Sequence, residues 1–258
     1  MSDPAQSPAS ETALLKPIWT ALLGPPWVVS VVVFVVLAAV RFFAILSPYA
    51  LQELYLMQTM AMWALPFILL TSSGRRKIGF TERGVTPASV VVSAAAGAAC
   101  GLVFFALGMA MFGNTPDNWC ISIRNYLHFD EMRGLLSPAG LFAAYSLPAT
   151  FLNPVGEEIL FRGIIQQAFT ERFNAVVATL VSSSLFALVY LSLHGIWSDA
   201  AGYHLRALSA AIAVVLMTGV GAVFTLCRTR SGTIWTAMAA HAAFNLALLA
   251  ATIHHFTR

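Results

Sequence analysis

Two carboxylates and a guanidinium stand together in Gly156-Glu-Glu-Ile-Leu-Phe-Arg-Gly163, inside a stretch that otherwise avoids charge. An ionisable side chain at the centre of a bilayer costs about 2.5–3.5 kcal/mol, so Glu157, Glu158 and Arg162 must pair or face water. Arg162 follows Glu158 by one helical turn and shares its face, which lets the guanidinium fork clamp that carboxylate. Glu157 is turned about 100° away. The spacing predicts one clamped carboxylate and one free to act on a different target. A buried salt bridge with no further purpose is the structural alternative, and it leaves the second glutamate without a task.

A second polar group is "HAAFN", in which His241 and Asn245 fall on one helix face near the end of the chain. An imidazole and a carboxamide aimed at one point can polarise a carbonyl and hold its oxyanion. Their structural alternative is an interhelical hydrogen-bond pair worth about 1 kcal/mol. A third pair, Tyr190 and His194 in "SSSLFALVYLSLHG", puts a phenol and an imidazole on one face. His194, beside Gly195 at the end of its apolar run, reads as peripheral and wet. Ser182, Ser183 and Ser184 read as packing residues, and His128, His204, His254 and His255 as solvated.

The elements that must position these groups are apolar throughout. The chain has 258 residues, 59% of them hydrophobic and 10% charged. A soluble domain carries about a quarter charged residues, so a polytopic membrane protein is indicated. Seven apolar runs, at 27–46, 54–70, 90–112, 141–152 continuing into the glutamates, 176–193, 208–227 and 233–253, predict about seven transmembrane helices. None alternates polar with apolar residues, which argues against a β-barrel. The fourth run is expected to break near Pro154. Either a new helix starts there with Asn153 as its N-cap, or one helix runs on through a kink. Both place irregular backbone beside the glutamates, which membranes tolerate where it lines a cavity.

The domain reading is a polar tail at 1–24 followed by a multi-span domain at 25–256. The tail lacks the basic and short apolar regions of a secretory signal. Arg75, Arg76, Lys77 and Arg83 in one loop, and Arg228 and Arg230 in another, put both loops and the N-terminus in the cytoplasm. The loop 114–136, the largest polar excursion, then faces outward. This basic cluster reads as a topology signal, not a nucleic-acid site. Cys100 and Cys227 lie within spans and Cys120 in the loop, so neither a disulfide framework nor a cysteine zinc site is expected. No HExxH occurs, and no metal or cofactor is expected.

"EEILFRG" resembles the EExxxR motif of the CPBP (CAAX protease and bacteriocin-processing, or ABI) membrane proteases. "HAAFN" resembles that family's closing HxxxN-type motif, and the likeness covers roughly 138–253. The resemblance implies that Glu157 activates a water with Glu158 and Arg162 in support, and that His241 and Asn245 form the oxyanion site. It also exposes a departure. The family's FxxxH motif reads "FALVY" here, with Phe186 in place and Tyr190 where histidine is expected. Three readings stand: Glu157 acts with Tyr190 orienting the water, His194 reaches in from the next turn, or activity has been lost.

The function expected is therefore an intramembrane endopeptidase cleaving near the terminus or leader of a membrane-associated protein or peptide. It would sit in the lipid bilayer of a bacterial inner membrane, its substrate a membrane protein or peptide and nucleic acid no partner. The alternatives are an inactive CPBP-like scaffold or regulator, a zinc protease built on Glu157, Glu158 and His241, and a transporter with charges at mid-membrane.

Overall fold

The computed structural model describes residues 13–47, 52–81, 84–199 and 202–257. Their backbone forms an all-α polytopic membrane protein with one small hairpin. A short α1 (Pro17–Leu23) precedes α2 (Pro26–Leu46), α3 (Gln52–Leu69), α4 (Ser72–Lys77) and α5 (Pro87–Phe112). The polar loop folds into α6 (Trp119–Tyr126) and α7 (Phe129–Met132). The fourth run follows as α8 (Pro138–Leu147), a π-wound turn at Pro148–Leu152, α9 (Asn153–Glu158), a second π segment at Ile159–Ile165, and α10 (Gln166–Thr170). After it come α11 (Ala175–Val189), α12 (Leu191–His194), the hairpin β1 (Ile196–Asp199) and β2 (Gly202–Leu205), α13 (Ala207–Ser231) and α14 (Ile234–Phe256).

Among the described residues, five runs are long and apolar enough to cross a membrane: α2, α5, α11 with α12, α13 and α14. The other two of the seven expected runs are α3, which opens on Gln52 and Glu53, and the segmented α8–α10. Residues 1–12 of the expected tail, Arg83 of the basic loop and the terminal Arg258 lie outside the described residues. The rest of the tail is not a polar extension. Leu14 and Leu15 are buried, Leu15 bridges Leu70, and the Thr71 N–H donates to the Leu14 carbonyl at 3.1 Å. The described part of the tail is itself mostly apolar, with Lys16 and Thr20 its polar side chains, and the leucine pair gives it surface to bury.

The helix ends follow local chemistry. Thr86 and Ser89 form a reciprocal capping box at the start of α5, and Gly232 closes α13 in the left-handed region at φ 74°. The closest crossing is between α5 and α14. A Cβ at Gly97 would lie 1.8 Å from the Ala240 carbonyl oxygen, and one at Gly101 would lie 2.5 Å from that of Phe244. This small-xxx-small spacing lets two backbones touch where the hydrophobic effect cannot drive helices together. It seats the last helix, and with it His241 and Asn245, against the frame.

The interruption expected near Pro154 is a change of winding. Leu152 and Asn153 both keep right-handed helical dihedrals, and neither caps a helix through its side chain. The helix is therefore continuous, and no new one begins at Asn153. In the π turn the Asn153 N–H reaches back to the Pro148 carbonyl. The next carbonyl in that i→i−5 pattern, Ala149, would pair with residue 154, but proline has no N–H.

Candidate active site

Glu157 and Glu158 are both buried and separate as their angular spacing requires. Glu158 stays within its own helix, where Arg162 Nη1 donates to Oε1 at 3.2 Å. The Arg162 guanidinium lies 4.3 Å from the Phe186 ring centroid and 5.3 Å from that of Phe224, contacts that a desolvated cation gains from ring quadrupoles. Glycine at 221 makes room, since a Cβ there would come within 2.8 Å of Arg162 Nη2.

Glu157 is not the free carboxylate expected. Arg41, from the middle of α2, donates to its Oε1 at 2.5 Å, and the Tyr190 hydroxyl donates to its Oε2 at 2.8 Å. The Arg41 guanidinium also stands 4.7 Å from the Tyr190 ring centroid and 5.4 Å from that of Tyr55. A charge in an apolar helix needs a partner, and Glu157 supplies it. Arg41 is the site residue that motif reading missed. The available signal was a lone cation inside "VVLAAVRFFAIL", which membrane energetics marks as functional or paired.

His241 joins the two halves. Its Nδ1 lies 2.8 Å from Glu158 Oε1, which makes Nδ1–H the donor to the carboxylate. Its Nε2 lies 3.5 Å from the Tyr190 hydroxyl and 3.8 Å from Glu157 Oε2. The result is one buried network, Arg41–Glu157–Tyr190–His241–Glu158–Arg162, in which two guanidinium charges balance two carboxylates.

A cavity of about 720 Å³ adjoins this network. Tyr190, Arg41, Asn153, His194 and Asn245 line it, with Phe244 and Leu248 among its apolar wall. Tyr190 is thus the point at which the Glu157 carboxylate meets the cavity. His241 stands behind Tyr190 and is fully buried, so only one of the two expected oxyanion donors reaches the wall. That one is Asn245, whose Nδ2 donates to the Ala149 carbonyl at 2.7 Å. The amide thereby fills the place left by the missing N–H of Pro154, and its second N–H remains to donate.

His194 is buried, not wet as its place in the sequence suggested. Its ring stacks on Tyr190 with centroids 5.8 Å apart and tilts against Phe104 at 5.9 Å. The reason is the polar loop, which does not stay in water. Its Trp119, Cys120 and Phe129 are buried, Trp119 Nε1 donates to the Phe104 carbonyl of α5 at 3.0 Å, and α6 packs against α12, which carries His194. All three cysteines are free thiols. Among the described residues, no three His, Cys, Asp or Glu side chains are grouped to hold a metal. Glu157 and Glu158 each already carry a guanidinium that a dication would have to displace.

Residues 139–247 match the family model described as Type II CAAX prenyl endopeptidase Rce1-like. Neither a curated protein nor a solved structure gives a significant match. The matched segment contains both motifs and every network member except Arg41.

Proposed function

We infer, for a chain whose residues 139–247 belong to the CPBP membrane-protease family, that it is an intramembrane endopeptidase acting through glutamate-activated water. The observation that carries this reading is the contact from Glu157 Oε2 to the Tyr190 hydroxyl, 2.8 Å long and ending on the wall of a 720 Å³ cavity. A phenol, with its ordinary pKa near 10, is a poor base by itself. Hydrogen-bonded to a carboxylate, it need not become one. As water gives a proton to Tyr190 Oη, the tyrosine passes its own to Glu157 Oε2, and the phenol stays neutral.

The water oxygen then adds to the carbonyl carbon of a peptide bond. Asn245 offers its remaining N–H to the developing oxyanion, an interaction worth about 10²-fold or more in a preorganised, dry site. The proton stored on Glu157 returns by the same path to the leaving amine as the carbon–nitrogen bond breaks. No covalent acyl-enzyme forms. Arg41, Glu158, Arg162 and His241 hold the relay in place. Substrates of this reading are segments near the terminus or leader of a membrane-associated polypeptide, and its setting is a bacterial inner membrane with the N-terminus cytoplasmic.

The test is purified wild type against Glu157→Gln in proteoliposomes, with mass spectrometry of new termini on proteins whose termini change when the gene is deleted. Cleavage by wild type and none by the variant supports the reading, and equal cleavage by both removes it. A second reading, a non-catalytic scaffold, is favoured by the arginine already held on Glu157. Unchanged termini after gene deletion would promote it.

A further inference from the structure

The cavity is bordered at one end of the molecule by the polar loop, and the two ends differ in charge. At the first end lie Arg75, Arg76 and Lys77 in the last turn of α4, Arg228 and Arg230 in the last turn of α13, and Arg172 just after α10. Lys77 pairs with Glu171 at 2.6 Å, and Arg228 Nη2 donates to the Lys77 carbonyl at 3.0 Å, so three separate connections share that end. The second end holds α6, α7, the hairpin and the end of α14. Tyr145 donates to the Leu127 carbonyl at 2.5 Å there, and Arg206 donates to Ser122 at 3.2 Å. Its cations are offset by acids: Arg124 lies 2.6 Å from Asp130, and Arg206 lies 3.9 Å from Asp117.

The cavity wall comes from the second end. Tyr126, His128, Glu131 and Met132 border it at the polar loop, and Tyr55, Tyr145 and His194 border it from helix segments adjoining that end. Glu131 and His128 are exposed, which makes them the rim. Basic residues in short loops stay in the cytoplasm, so the basic end marks the cytoplasmic face.

We propose that this site is entered from the non-cytoplasmic face, and that its substrates are polypeptide segments exposed on that face. The proposal rests on the protease reading for the word substrate, and on charge and cavity placement for the side. The lining fits such a segment. Tyr55, Tyr126 and Tyr145 give apolar area with a hydroxyl at the tip, and His194 Nδ1, buried and without a partner among the described residues, adds a polar atom at the wall. An extended peptide carries backbone donors and acceptors that such groups can satisfy.

The experiment is labelling of the full chain with a membrane-impermeant maleimide in right-side-out and inside-out vesicles. Glu131→Cys reports the rim and Arg76→Cys the basic end, with the wild-type chain as background for the native thiols. The expected result is labelling of Glu131→Cys, at least tenfold above wild type, in right-side-out vesicles, and of Arg76→Cys in inside-out vesicles. The reverse pattern overturns the proposal. Labelling needs no turnover, so an inactive chain leaves this result readable and bears on the protease reading alone. In a second arm, one peptide reporter is tethered on either face. Cutting of the non-cytoplasmic reporter supports the proposal, and cutting confined to the cytoplasmic one overturns it.

Discussion

Glu157 and Glu158 are neighbours in the chain, yet they occupy different surroundings. Glu158 is held within its helix by Arg162, whose guanidinium lies against Phe186 and Phe224, and is reached from α14 by His241. Glu157 is held across helices by Arg41, 116 residues away in sequence, and faces the cavity through Tyr190. The first pair is an internal brace whose members meet as soon as the helix forms. The second depends on the docking of α2 and stands one side chain from a space of substrate size. Two carboxylates of the same chemistry thus have different surroundings, one enclosed and one a side chain from the cavity, and the proposed mechanism makes the first a support and the second the reactant.

The sharpest way to break this contrast is to neutralise each carboxylate at constant shape. Glu157→Gln is expected to abolish cleavage while leaving the protein inserted, because the proton acceptor is gone. Glu158→Gln is expected to abolish it too, by releasing His241 and Arg162. Cleavage assays beside a membrane-fraction blot separate the chemical effect from loss of protein. The arginines come next. Arg162→Ala or Arg41→Ala leaves a buried carboxylate unpaired at a cost of roughly 3–5 kcal/mol. Each is expected to lower the melting temperature and the amount of folded protein in detergent, and Arg41→Ala in addition to loosen α2.

Smaller effects probe the cavity side. Tyr190→Phe removes the hydroxyl between Glu157 and the cavity, and cleavage is expected to slow about 10²-fold, the low end for a positioned proton-handling group. Tyr190→His, which restores an imidazole, is expected to keep or raise activity. If Tyr190→Phe matches wild type in turnover, the relay is wrong and Glu157 reaches water by another path. His194→Ala is expected to cost less than tenfold, since its ring stacks on Tyr190 without touching the carboxylates. At the bottom of the scale, EDTA or phenanthroline is expected to change nothing. Loss of activity that returns with added zinc would transfer the role of Arg41 and Arg162 to a metal ion.

The helices and the in-helix brace could be read from the chain because both are local: apolar length specifies a span, and a four-residue interval specifies a shared face. Arg41 could not be matched to Glu157 in this way, since their meeting depends on how α2 packs against the fourth run. The burial of His194 escaped for a similar reason. It is imposed by Trp119 and its neighbours, which a polar loop composition disguised. Pro154 announced irregular backbone, but proline chemistry alone does not distinguish a fresh start from a rewound turn. The orphaned Ala149 carbonyl, and Asn245 as its donor, emerge only once the winding is known.

That last contact ties two distant positions into a single heritable unit. With proline at 154, the chain needs a donor at 245 to satisfy a buried carbonyl. With an N–H restored at 154, the carbonyl has another candidate partner and Asn245 is released from that structural task, leaving only its proposed chemistry to keep it. Substitution at 245 before 154 strands the carbonyl, whereas the reverse order does not, so the two changes are not interchangeable steps. A lineage leaving this arrangement would find one path downhill and the other blocked, and Asn245 would be kept by the backbone even in a descendant that had given up its chemistry.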